Sequence, residues 1–514
     1  MPIIRETTKL KVIPSGVNPT YNETIIVLES PNIISDNFKW IFELYKGEPT
    51  DSDYKLISTL IILPNPEGFG IVDVHRHVEN YISTDFDPYI IDGIIRPIDK
   101  SGLKWSFKLT EQFENPRWRY VDYNSIAGSV GYTTAIGPPP SWGYPYGTNT
   151  PHPFIVTDRV EIVQDPGFTY PQYNFADVAI NIIQDDYTIV LAEPYVGSGP
   201  ADPGTITLIG GGIREIEQDY TDTTFYSFNG VLSFKGFRNW DADDYEMSST
   251  SPDTTKFLTN IPRTYDVTLN DRVWLNGLQS ATSNPVVLGY ITTNNGTFGV
   301  NNQYSSTGQF FQVQHKIGPK DLMETTDTTL AVLSGSFPVV DANTTFITYI
   351  QSKLPTGTAV SETITLNIVD KCSKYEKIRF FFMDKLGSYI PLTFDRVSKS
   401  NINNSRSNYK QNYGTYNSVS ETWGYNTHDR GTTTYDLVST ESVTCTSDWL
   451  EENEVNMVIE MLNSPNVYIQ DDNGDYIAIT ITTNSFEKKK KVNTKLINYT
   501  ITFNYSQNSG SQRG

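Results

Sequence analysis

Five histidines are the chain's readiest metal ligands and general bases. His75 and His77 stand two apart. On a helix, positions i and i+2 point to different faces, so the pair cannot close on one ion. His315 and His428 are isolated, and none of the five histidines has a Cys or Glu at ligand spacing, so no zinc site is expected. Asp471, Asp472, Asn473 and Asp475 bracket Gly474 with calcium-binding side chains. The later bidentate Glu is missing and the spacing is wrong, so a plain Asn-Gly hairpin turn is predicted. No G-x-S-x-G, no Walker loop and no dinucleotide fingerprint in strand–helix context occurs, and Gly210-Gly211-Gly212 has no helix pattern behind it. With 59 acids, a pair of carboxylates arises in any fold and carries no glycosidase signal. No catalytic, cofactor-binding or metal residue is expected, and the chain is not read as an enzyme.

Two sets of residues have the chemistry of contact. Trp142, Tyr144 and Tyr146 sit among prolines and glycines in 136–152, a stiff segment with no strand or helix period. It reads as a connector packed on a neighbour, or as a loop that stacks on a sugar or a partner. Lys488, Lys489, Lys490 and Lys491 form a basic run between two strands. It reads as a solvated hairpin tip, or as a plug for an acidic neighbouring subunit.

The elements that hold these residues are mostly strands. The 514 residues suffice for three to four domains. Tyr, Asn and Thr are abundant, charged residues make up 19%, and helical Ala/Leu/Lys runs are scarce, a β-protein composition. The net charge of −20 opposes a DNA clamp or a membrane-surface protein. Two cysteines, Cys372 and Cys445, do not make a disulfide framework, and both are expected buried and reduced. Met1-Pro2-Ile3-Ile4-Arg5-Glu6 lacks the apolar core of a signal peptide, and no apolar run approaches a span of about 20 residues. A soluble chain made in the cytoplasm is expected.

In chain order, residues 1–135 predict an immunoglobulin-like β-sandwich. A short strand covers 24–28. Phe38, Trp40, Phe42 and Leu44 give an aromatic inner face. A short helix begins at Asp73 with Val74, Val78, Tyr81 and Ile82 inward. Trp105, Phe107 and Leu109 mark another strand. The 136–152 loop follows, then a small inserted SH3-like barrel at 153–209. Residues 210–370 predict a second sandwich region, with a hairpin signal at Phe228-Asn229-Gly230 and strands near 286–291, 310–313, 331–333, 346–350 and 363–369, whose pairing stays open. Residues 398–420, rich in Asn, Ser and Tyr without period, predict a long loop or arm able to reach a neighbour.

Residues 371–514 predict a C-terminal α+β domain. Ser447 or Asp448 caps a helix whose Val455, Val458, Ile459 and Leu462 form the inner face, with Glu452, Asn456, Glu460 and Asn463 opposite. Ser464-Pro465 ends it. Strands follow at 467–470, around Ile477, Ile479 and Ile481, and over 497–505, where Ile497, Tyr499, Ile501, Phe503 and Tyr505 alternate with polar residues.

The C-terminal order, "SDWLEENEVNMVIEMLNSPNVYI" then "YIAITITTNSFEKKKKVNTKLINYTITFNYSQNSGSQR", resembles the C-terminal domain of tail proteins from tailed phages of Bacteroidetes hosts, crAss-like phages among them. The similarity rests on Trp449, Ser464-Pro465-Asn466-Val467-Tyr468, Ser485, Lys495-Leu496-Ile497 and Ser511-Gln512-Arg513. "EKIRFFFMDKLGSYIPLTF", "RVEIVQDPGF…YN…DDYTIVL" and "NPTYNETIIVL … FKWIFELY … ILPNPEGFGIVDVHRHVENYIS" are similar to other segments of that family. The resemblance implies a structural virion protein: a ring-forming tail hub or adaptor, assembled in the host cytoplasm. It would contact itself and collar, tail or fibre proteins, and let genomic DNA pass without specific binding. A receptor-binding or fibre protein that stacks Trp142, Tyr144 and Tyr146 on a surface glycan is the alternative.

Overall fold

The computed structural model describes residues 8–35, 37–114, 119–128, 131–136, 159–164, 175–185, 188–191, 203–210, 213–248, 251–280, 287–301, 310–353, 357–369, 374–450, 452–471, 473–483, 485 and 497–507. The chain is mainly β, with several sheets and four short helices among the described residues. It divides into two compact units. The first gathers Met1–Gly16, Glu23–Glu79 and Lys104–Phe225, and the second Val17–Asn22, Asn80–Leu103 and Tyr226–Gly514.

In the first unit, Lys9–Val12, Ile25–Glu29 and Phe69–Asp73 form an antiparallel three-stranded sheet. A larger sheet orders Ile213–Phe228, Gly102–Glu114, Lys39–Lys46 and Lys55–Ile62. Period-two alternation turns Trp40, Phe42 and Leu44 inward with Trp105, Phe107 and Leu109 beside them, all buried. Phe42 stacks on Phe107 at 4.8 Å and Trp105 on Phe225 at 4.5 Å. The sheets meet at Gly70, where a Cβ would stand 2.8 Å from the Trp40 ring. Under that ring lies a buried polar chain. Trp40 Nε1 donates to Thr8 Oγ1 at 2.9 Å, Thr8 Oγ1 donates to Glu111, and Asn32 Nδ2 donates to the other Glu111 oxygen at 2.8 Å. The helix begins at His75, two residues later than expected, and buries Val74, Val78 and Ile82. Tyr81, expected inward, is exposed, because a 3-10 turn at Glu79–Tyr81 rotates it off that face.

A closed antiparallel barrel leaves and re-enters this larger sheet. Its strands run, in order around the wall, Gly131–Ile136, Thr188–Leu191, Phe175–Asp185, Arg159–Gln164, Pro203–Gly210 and Arg119–Gly128. Its first two strands in sequence lie before 153, inside the span read as N-terminal sandwich, because Arg119–Gly128 pairs with both Gly131–Ile136 and Pro203–Gly210 and so closes the wall. Gly102–Glu114 enters the barrel and Ile213–Phe228 returns beside it in the sheet.

The second unit has two large sheets around one core. Eleven strands form the larger. Its path is Ser398–Lys410, Thr432–Thr446, Thr500–Tyr505, Tyr476–Ile481, Val467–Gln470, Ile378–Met383, Tyr389–Phe394, Trp274–Ser280, Phe310–Lys316 and Ile95–Pro97, with Glu246–Met247 on Trp274–Ser280. The smaller orders Thr264–Val267, Ile364–Ile368, Phe346–Lys353, Val287–Thr293, Gly296–Asn301 and Ala331–Gly335, with Thr358–Ala359 on Phe346–Lys353. Leu275, Val313 and Phe380 from the first share a core with Ile291, Phe298 and Ile347 from the second.

Three boundaries differ from expectation. Residues 80–103 belong to the second unit, because Ile94 and Ile95 enter its core and Ile95–Pro97 pairs with Phe310–Lys316. No sheet edge divides 210–370 from 371–514, because Trp274 pairs with Tyr389. Asn229-Gly230 is not a hairpin turn. The strand stops at Phe228 and the chain moves on to a helix at Phe234–Arg238, with Val231 N bonded to Lys385 O.

The helix Glu452–Asn463 lies against the large sheet. Val455, Met457, Val458 and Met461 are buried, while Ile459 and Leu462 are only partly so. The final strand is Thr500–Tyr505, with Ile501 and Phe503 buried. Ile497 and Tyr499 are also buried but precede it, Ile497 being held by paired backbone bonds to Leu450. No helix among the described residues is long and apolar enough to cross a membrane.

Candidate functional site

The segment read as a loop or arm is a β-ribbon. Ser398–Lys410 pairs along its whole length with Thr432–Thr446. Thr432–Thr446 is bonded on its other side to Thr500–Tyr505 only from Ser442 to Thr446. Residues 432–441, and the strand segment opposite them, therefore leave the sheet as a two-stranded projection. At about 3.4 Å per residue it reaches roughly 30 Å. The missing hydrophobic period that argued for a loop follows from this geometry. A ribbon wet on both faces needs no apolar alternation, and Asn, Ser and Thr fill it.

Side chains sort onto the ribbon's two faces by register. Val443 and Cys445, both buried, anchor one face at the base. Ile402, opposite Glu441, and Leu437, opposite Arg406, continue that face beyond the core, where Ile402 is 61% exposed. Burial also pushes the Cys445 thiol up to about 12, as fits a packed, unreactive cysteine. Cys372 lies outside the described residues. At the far end Thr415–Asn417 pairs with Thr422–Gly424. Gly414, at φ +100°, lets the chain turn against Trp423, whose Nε1 donates to Tyr413 O at 3.2 Å. Tyr413, Tyr416, Trp423 and Tyr425 are all exposed there, and Tyr413 and Tyr425 lie 5.4 Å apart.

Ionisable groups are buried elsewhere in the second unit, in closed surroundings. Asp321 accepts from Arg272 Nη1 at 2.7 Å, from Trp274 Nε1 at 3.1 Å and from Val273 N at 3.2 Å, while Arg272 Nη2 also reaches Glu324. Lys316 Nζ sits 4.5 Å from the Trp274 ring centre and donates to Ile90 O at 2.9 Å and Asp87 O at 3.3 Å. Burial lowers its pKa to about 8. His315 is fully buried against Tyr349 and Gln351, and burial lowers it to about 3. Burial raises Asp384 to about 7, against the pull of donors from Asn260 N, Thr259 Oγ1 and Leu386 N. These groups tie loops to strands. The cleft beside Tyr265 and Trp449 holds about 90 Å³, whereas sites for small-molecule ligands run from about 300 Å³ upward.

The residues singled out in the sequence fall as follows. Trp142, Tyr144, Tyr146 and Lys488, Lys489, Lys490 and Lys491 lie outside the described residues. His75 turns to Asp73, 2.7 Å from its Nδ1. Asp471 Oδ1 accepts from Asn473 N at 2.9 Å and Asp475 N at 2.8 Å, a hydrogen-bonded turn. No group of three metal-capable side chains occurs among the described residues. The aromatic ribbon tip was not singled out in the sequence, although Tyr413, Tyr416, Trp423 and Tyr425 alternate irregularly with polar residues and a gatherable signal was there. No family model matches the chain, and no curated protein matches it.

Proposed function

We propose that this chain is a structural component of a tailed-phage virion, a ring-forming tail hub or adaptor. It joins the tail to neighbouring collar, tail or fibre proteins and surrounds the path of the genome. In this reading the paired sheets of the first unit are an immunoglobulin-like sandwich and the inserted barrel is SH3-like. The chain works by contact, without a reactive group or cofactor, after assembly in the host cytoplasm. The observation that carries the reading is the ribbon. An isolated two-stranded ribbon is marginal in water, so one of this length is expected to be ordered against something else. The net charge of −20 adds to it, because acidic walls let phosphates slide past. The test is to fractionate phage particles into heads and tails and look for peptides of this chain. The reading expects them in tails in fixed stoichiometry, and their absence from particles contradicts it.

A second reading, a receptor-binding or fibre protein, draws on the four exposed aromatics of the ribbon tip, which suit stacking on sugar rings. Glycan-array binding that Trp423→Ala or Trp142→Ala abolishes would favour it.

A further inference from the structure

We propose that the ribbons of neighbouring copies join edge to edge, the strand Ser398–Lys410 of one copy against residues 432–441 of the next, into a closed annulus of antiparallel strands. The inference rests on the ring reading above and names its contact. Among the described residues no further strand pairs with the outer edge of Ser398–Lys410 or with that of residues 432–441, and a strand edge of this kind templates another strand.

The two edges carry opposite charge. Ser398–Lys410 holds Lys399, Arg406 and Lys410 and no acid, in a chain of net charge −20. All three are exposed, and none makes an ion pair among the described residues. Thr432–Thr446 holds Asp436 and Glu441 and no base. Glu441 accepts from Ser400 Oγ at 2.5 Å within the ribbon through one of its two oxygens.

Charge therefore selects the pairing. Matching one edge with the same edge of a second copy sets cations against cations or acids against acids, which opposes association. Matching unlike edges brings Lys and Arg to Asp and Glu. Direction agrees. Within a ribbon one strand leaves the body and the other returns, so ribbons related by rotation about a common axis meet as antiparallel neighbours, the better-bonded arrangement. A contact between unlike edges is heterologous, and a heterologous contact closes into a ring where the rotation permits. Like-edge pairing would instead stop at an isologous dimer.

The test uses the full chain in sedimentation velocity. The wild type is expected as one closed oligomer. Lys399→Glu, Arg406→Glu and Lys410→Glu together should weaken assembly at least tenfold, and adding Asp436→Lys and Glu441→Lys should restore it. Near-UV circular dichroism confirms that each variant is folded. A monomeric wild type, unchanged assembly of the triple variant, or no rescue by the five-fold variant each overturns the proposal. In parallel, Ser405→Cys and Thr440→Cys chains are treated with a short bis-maleimide, against the wild type as background. Cross-linked dimers only when the two are co-expressed support unlike-edge pairing, and dimers from either variant alone overturn it. Absence of the chain from virions alongside a successful charge swap would sink the virion reading and leave this contact standing.

Discussion

Phe86 lies flat on Tyr468, with ring centres 4.0 Å apart and planes 6° from parallel. The same ring touches Trp274, Phe381, Tyr389 and Tyr476, so one side chain from residues 80–103 fills a box built by five strands of the large sheet. That packing explains why this stretch belongs with the second unit. Phe86→Ala should cost about 3 kcal/mol in the unfolding of that unit, by loss of buried area plus a cavity. Tyr89→Phe, which removes an exposed hydroxyl bonded to Asp475, should cost less, under about 1 kcal/mol. Urea denaturation of both variants checks the contrast.

The Arg272–Asp321 pair is buried on both sides. Arg272→Met strands a carboxylate that burial already pushes up, and should destabilise by about 3–5 kcal/mol. Replacing both, Arg272→Met with Asp321→Leu, should cost less than the single change, because no lone charge remains. A double-mutant cycle by thermal unfolding measures the difference.

His315 gives a pH dependence whose sign follows from its surroundings. Its folded pKa is lowered to about 3 by burial, against 6.5 for a free histidine. Gln351 Nε2, a donor, stands 3.0 Å from Nε2, which disfavours a proton there. Below pH 6.5 the unfolded chain binds a proton that the folded chain does not, so this group's support is present above pH 6.5 and falls as pH drops towards 3. The slope is about 1.4 kcal/mol per pH unit once well below 6.5. His315→Gln should lower stability at pH 7.5 and remove this slope, so its deficit against the wild type narrows as pH falls. Denaturation midpoints of wild type and variant at pH 7.5 and 5.0 isolate it, since the other titrating groups are shared.

The C-terminal helix shows how far the pattern of residues could be read. Its end at Ser464-Pro465 and the burial of Val455 and Val458 are legible from the sequence, but its start is not: the helix begins at Glu452, because Ser447 Oγ accepts from Tyr499 N and Leu450 bridges Ile497 instead of opening the helix. Its exact face was not. Met457 and Met461 are buried where Ile459 and Leu462 had been expected, because helical spacing alone does not say which edge of a wide apolar stripe meets the sheet. Met461→Ala should therefore cost about 2–4 kcal/mol and Leu462→Ala clearly less, a ranking that chemical denaturation can check.

Strand faces such as Trp40, Phe42 and Leu44 were equally legible, since alternation is local. Pairing was not. That Trp274 meets Tyr389, or that Arg119–Gly128 closes a barrel on Pro203–Gly210, depends on partners far along the chain. The ribbon reads as a long loop or arm in the sequence, without its strands, for a related reason. Its order comes from backbone pairing, while Asn401, Asn403 and Ser405 face water and leave no periodic trace.

If this chain is a self-associating building block, native mass spectrometry of the purified protein at moderate salt should show a single closed oligomer of several identical chains whose mass does not grow with concentration. A chain that stays monomeric across the whole accessible concentration range would contradict it.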